Sequence, residues 1–327
     1  MLTSTALKPT LAARIAVAPI SWGVCEVPGW GWQLSPDRVL ADMRELGVTA
    51  TEFGPEGFLP LDPAEKARTL SAYDLVAVGG FVPIVLHDAE HDPVPVIAAE
   101  LAGFLAAGAT RLVLSADTGL VGYDSRPTLT DAQWQTLLGN LDRILDHAAG
   151  LGIVASLHPH VGTMVESSTD VARVLAGSRI GLCLDTGHLL IGGTDPVQVA
   201  VEHASRISHV HLKDVRHDLA VRVQTGELSY TDAVGAGMYV PLGEGDIDLA
   251  TIVASLESAG YEGYYVLEQD TILDREPTAA DAPHLVVRQS IDFILGLPVT
   301  PDLSPAPALS PAHTTTAPVS NGGSTDA

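Results

Sequence analysis

Four short stretches bring metal-binding and proton-carrying side chains to the ends of apolar runs. LHPH places His158 and His160, LDTGH places Asp185 and His188, HVHLKD places His209, His211, Lys213 and Asp214, and LEQD places Glu268 and Asp270. Side chains alternate along a strand, so His209, His211 and Lys213 share one face. Imidazole and carboxylate ligands together suit Mn, Co, Zn or Fe, whereas Mg and Ca prefer oxygen alone. The expected metal set is Asp185, His211 and Glu268, with His158 as the fourth ligand and His160 or Glu166 as competitors for that place. One such residue is most simply a hydrogen-bonded strand end. Four at successive strand ends form a constellation.

The elements that must position these residues alternate through the chain from 13 to 297. Eight apolar, β-branched runs are expected as strands, at 14–20, 50–54, 75–86, 111–116, 152–158, 179–185, 206–214 and 264–270. Their near-continuous apolar character predicts strands covered on both faces. Between them, Ser35-Pro36, Asp62-Pro63 with Glu65, Thr130 with Gln133 and Asp195-Pro196 read as capped helix starts. The fold class is therefore α/β, a (β/α)8 barrel, in which active groups sit at the C-terminal ends of strands. An open doubly wound sheet would carry a glycine-rich phosphate turn after its first strand, and PISWGVCEVPGWG has none. Residues 216–247 form a long insertion, expected as a lid or substrate wall. GG at 192–193 and GEG at 243–245 are the glycine pairs available to a phosphate. Residues 1–12 read as an N-terminal extension, and 298–327, rich in Pro, Ser, Thr, Ala and Gly, as a disordered tail.

The 327 residues exceed the roughly 250 of a typical barrel, so one domain plus a tail is expected. Although 46% of residues are hydrophobic, no apolar run reaches the roughly 20 residues of a membrane span. With no secretory signal either, the expected place is the cytoplasm. Only two cysteines occur, and Cys183 within IGLCLD is expected as a buried strand residue. Acidic residues outnumber basic ones 40 to 17, a net charge of −23 that repels phosphate backbones and argues against nucleic acid as a partner.

The D-T-G-H at 185–188, the H-V-H-L-K-D at 209–214 and Glu268 make the chain resemble the xylose-isomerase-like barrels of the sugar phosphate isomerase/epimerase superfamily, over nearly all of residues 14–295. Within it the chain is most similar to inosose dehydratases, through an API-W start, HPHVGTMVE, HVHLKDVR, YVPLGEGDID and the EQD of the last strand. The resemblance implies metal ligands at Asp185, His211 and Glu268. Most superfamily members carry a glutamate where this chain has His158, which leaves His158, Glu166 or water as the fourth ligand.

It also implies a hydro-lyase acting on a polyhydroxylated cyclic ketone such as scyllo-inosose, removing the proton α to the carbonyl and then expelling a β-hydroxyl. Mn or Co stands ahead of Zn or Mg as the ion, glutathione is admitted as a further cofactor, and a homo-oligomer is in keeping. Lys213, His188 and Glu268 are the candidates for proton transfer, without assignment among them. Trp22, Glu52, His160 and His188 are the candidates for substrate contact, with His87 and Asp88 weaker ones. The alternatives are an isomerase or epimerase using the same enediolate chemistry, and an endonuclease IV-like phosphodiesterase, against which the acidic charge stands.

Overall fold

The computed structural model describes residues 9–120 and 126–298. Most of the expected extension and tail, residues 1–8 and 299–327, lies outside them. The strands are β1 (Ile15–Val17), β2 (Ala50–Thr51), β3 (Val76–Ala77), β4 (Gly79–Val85), β5 (Arg111–Asp117), β6 (Val154–Leu157), β7 (Gly181–Asp185), β8 (Ile207–Leu212), β9 (Asp214–Val215), β10 (Tyr239–Val240) and β11 (Tyr265–Leu267). Nine of them form one parallel sheet in the order β3-β2-β1-β11-β8-β7-β6-β5-β4.

That order is nearly a ring. Its two ends, β3 and β4, are separated in the chain by Val78 alone, so one bent strand pairs with β2 before the bend and with β5 after it. The single strand expected over 75–86 is thus two pairing segments, and the eight staves of a (β/α)8 barrel are present. The split has a local cause. β2 is two residues long, the last backbone bonds between its segment and this strand are Val78 N–H to the Thr51 carbonyl and Phe53 N–H to the Gly79 carbonyl, and beyond Gly79 the strand pairs with β5, which is where a residue without an amide hydrogen, Pro83, is tolerated. Elsewhere the staves are buried on both faces: Val17, Leu112, Val113, Leu114, Leu182, Cys183, Leu184, Val210 and Leu212 are all fully buried.

Three expected helix starts are capped. Asp62 accepts the amide of Glu65, Thr130 and Gln133 form a reciprocal capping box, and Asp195 accepts the amides of Val197 and Gln198. Ser35 makes no side-chain cap; Pro36 follows it in the first turn, where its missing N–H removes one of the amides a cap would serve.

The insertion after β8 is built as a wall with its own core. Its helices His217–Gln224 and Tyr230–Gly235 and the antiparallel pair β9 and β10 enclose Val215, Leu219, Tyr230, Met238 and Tyr239, together with Trp30. Asp214 fastens it by accepting the amides of Val215, Gly243, Gly245 and Ile247. The Gly243 and Gly245 amides therefore serve a carboxylate of the chain itself, and that of Glu244 a backbone carbonyl, so the GEG amides are not free to cradle a phosphate. A Cβ on Gly245 would lie 2.2 Å from Asp214 Oδ1, so only glycine fits there. Among the described residues, no helix is long and apolar enough to cross a membrane.

Candidate active site

The C-terminal ends of β2, β6, β7, β8 and β11 converge on a cavity of about 590 Å³ whose lining includes Glu52, His158, His188, His211, Lys213 and Glu268. Asp185, at the end of β7, is fully buried; its Oδ1 caps the short helix Thr186–Ile191 by accepting the amide of His188 at 2.8 Å, and its Oδ2 lies 3.2 Å from His158 Nε2. Nδ1 of His211 lies 3.6 Å from Asp185 Oδ2 and 3.3 Å from Glu268 Oε2. Asp185, His211 and Glu268 offer ligand atoms within 4.8 Å of one another, and His158, Asp185 and His188 do the same.

These residues fit a divalent cation. Four carboxylates, Glu52, Asp185, Glu268 and Asp270, crowd the buried site around a single lysine, an excess of negative charge that only a cation or added protons can balance. Nδ1 of His158 and of His211 is buried without a hydrogen-bond partner among the described residues, as a nitrogen kept for a metal would be. Burial alone would lower the pKa of His211, yet Cys183, Glu268 and Glu52 outweigh it and hold it well above the ordinary imidazole value, the direction that surplus negative charge imposes.

Lys213 is 2% exposed. Its Nζ lies 2.8 Å from Glu268 Oε2 and 3.7 Å from Asp185 Oδ2, and it is bonded closely to Asp270. Burial disfavours its charge, but Asp270, Glu268 and Asp185 outweigh burial and hold it protonated. Thr186 secures its backbone at both ends: the Thr186 hydroxyl donates to the Lys213 carbonyl at 2.6 Å and accepts the Lys213 amide at 2.8 Å. Gly187 lets the lysine pass, since a Cβ there would meet Lys213 Cβ at 3.0 Å and Tyr239 Cε1 at 2.8 Å. Each letter of D-T-G-H therefore has a physical task.

The two other cavity histidines are neutral. Burial, then the neighbouring His160, drives the pKa of His188 well below the ordinary value; burial, then His158, pushes His160 down to about 3. Their rings face each other with centroids 3.7 Å apart. Two expected contacts are not brought to the cavity. Trp22 is fully buried in the core, its Nε1 donating to Asp42, because the chain turns inward immediately after β1. Glu166 instead accepts the amide of Gly162 and lies 3.6 Å from Arg126, away from the ligand cluster. His87 and Asp88 line a separate cleft with Thr118 and Gln133.

The residues that motif reading left without a role are Asp270 and Tyr230. The Tyr230 hydroxyl donates to Asp270 Oδ2 at 2.6 Å, and His188 Nε2 lies 3.9 Å from that oxygen. The E-Q-D spacing placed Asp270 beside Glu268; nothing in the insertion's sequence marked Tyr230.

The model of a family described as xylose isomerase-like TIM barrel matches residues 97–295. The rhizopine catabolism protein MocC of Rhizobium meliloti is 34% identical over 270 residues, covering 80% of this chain and 82% of that one. An inosose dehydratase of Geobacillus kaustophilus is 31% identical over 299 residues, covering 86% and 93%. Among solved structures, the IolI protein with a bound zinc atom superposes with a TM-score of 0.65 at 13% identity, over 88% of this chain and all of that one, a likeness of fold.

Proposed function

The chain belongs to the xylose isomerase-like TIM barrel family, and on that premise we propose that it is a metal-dependent hydro-lyase that removes water from a polyhydroxylated cyclic ketone of the inosose kind. One observation carries the reading: a protonated lysine and a neutral histidine lie on either side of Asp270, beside a carboxylate-rich ligand cluster. Asp185, His211 and Glu268 would hold the ion, with His158 as fourth ligand. When bound, a divalent cation supplies Lewis-acid chemistry, polarising the ketone oxygen and stabilising the charge that develops on it.

The chain's own groups do the rest. The neutral imidazole of His188 takes the proton α to the carbonyl, and Lys213 Nζ gives a proton to the departing β-hydroxyl, which leaves as water. The carbon–carbon double bond forms as the carbon–oxygen bond breaks. His188 is left protonated and Lys213 neutral, and Asp270, in contact with Lys213 and 3.9 Å from His188, is placed to return the proton from one to the other. Tyr230 holds Asp270 in position, and the insertion walls the reaction from water. The names of the dehydratase relatives favour loss of water over return of the proton to carbon.

The test is to incubate Mn- or Co-loaded protein with scyllo-inosose and follow the ultraviolet absorbance of the conjugated product, with Glu268→Gln as control. Metal-dependent absorbance that the control lacks is expected. A flat trace accompanied by solvent deuterium entering a ketose would replace the hydro-lyase with an isomerase or epimerase on the same site.

A further inference from the structure

Glu52 stands behind the ligand cluster, at the end of β2, and is 4% exposed. Its Oε1 receives two imidazoles: Nε2 of His209 at 2.7 Å and Nε2 of His211 at 3.0 Å. A carboxylate oxygen can only accept, so both Nε2 atoms carry hydrogen. In the neutral His211 ring the lone pair then falls on Nδ1, the atom that faces Asp185 and Glu268. His209 is fully buried one pleat deeper on the same strand face, and its Nδ1 has no hydrogen-bond partner among the described residues; its one such bond goes to Glu52.

We propose that Glu52 is a positioning residue for the metal centre: it fixes the His211 tautomer and ring so that Nδ1 is the ligating atom, with His209 bracing Glu52 from below. The inference rests on the reading that Asp185, His211 and Glu268 hold the ion, and it takes Glu52 out of the set of substrate contacts. Carboxylates bonded to a ligating imidazole raise its basicity and hold its orientation, and their loss typically weakens metal binding about 10- to 100-fold.

Two measurements on the full chain test it. The first is the Kd for Co²⁺, from the visible absorbance of the bound ion and from calorimetry, in wild type and Glu52→Gln, which keeps the shape and removes the charge. The second is the ¹⁵N-histidine spectrum of wild type loaded with ¹¹³Cd, in which one-bond coupling identifies the ligating nitrogen. The inference expects Glu52→Gln to bind Co²⁺ about 10- to 100-fold more weakly, with cadmium coupled to Nδ1 of His211 in wild type. Coupling to Nε2, or an unchanged Kd with a raised KM in the variant, would overturn it and make Glu52 a substrate contact. Two ions per chain in wild type, falling to one in the variant, would overturn it by making Glu52, His209 and His211 a second metal site. If Glu52→Gln does not fold, the coupling in wild type still decides. Absence of any Co²⁺ binding by wild type would instead sink the metal reading itself, and this inference with it.

Discussion

Lys213 is where the charge of the site is balanced, because it is the lysine that Asp185, Glu268 and Asp270 share. Replacing it by Met leaves those carboxylates buried without their cation, which costs about 3 to 5 kcal/mol when one partner of a buried pair is lost. Lys213→Met should therefore melt well below wild type when metal-free and recover more than wild type does when Mn²⁺ is added, as thermal melts with and without the ion would reveal. Its dehydration rate should fall by about 10²- to 10⁴-fold even when fully loaded. Much of this was legible beforehand. Asp185, His211, Lys213 and Glu268 sit at strand ends, and the period-two spacing within HVHLKD puts His211 and Lys213 on one face, which is local information. Glu52 was legible as a strand-end residue but its partners were not, because His209 and His211 lie more than 150 positions away and meet it only when the ring closes. Trp22 misled because an indole at a strand end suits a sugar or a core equally, and only the turn after β1 decides between them.

At the scale of elements, the helix Ser168–Gly177 shows how local signals and distant partners combine. Ser167 and Asp170 form its capping box, and Arg126 Nη1 reaches Asp170 Oδ2 at 2.7 Å. Burial works to raise the pKa of Asp170, but Ser167 and Arg126 outweigh it and hold the carboxyl below its ordinary value. A carboxylate lowered in this way stabilises the fold at pH values above its unfolded pKa of about 3.9, and that contribution is lost as pH falls through the folded value. Asp170→Asn should be about 1 to 2 kcal/mol less stable at pH 7. Between pH 5 and 3 its melting temperature should fall less steeply than that of wild type, and parallel curves would show that the carboxylate does not carry this stability. The strands were readable from apolar runs alone. Their bounds were not, since the division of the third run at Val78 depends on how short β2 is, and the short strand lies some 25 residues earlier in the chain.

For the molecule as a whole, the balance of charge decides how stability responds to a ligand. The chain carries a net charge of −23, and four buried carboxylates, Glu52, Asp185, Glu268 and Asp270, crowd its site around Lys213. Binding an ion to the folded state alone contributes about 2.7 kcal/mol at a concentration of 100 Kd. At the usual entropy of unfolding for a chain of this size, that corresponds to a rise in melting temperature of roughly 4 °C. Adding Mn²⁺ or Co²⁺ to chelator-treated protein should produce such a shift, and Mg²⁺ a smaller one because two imidazoles are poor partners for it. Equal shifts with all three ions would point to binding by surface acids.

The ring of staves is fastened unevenly. Where β4 meets β5, seven residues pair in register; β2 pairs with β3 through two and with β1 through one. A hoop so made has one light stave, β2, held by three paired residues in all. In the order of the ring, β7 and β8, which carry Asp185 and His211, lie across from it. The staves that bear these two ligands thus stand half a turn of the ring away from its most lightly held member.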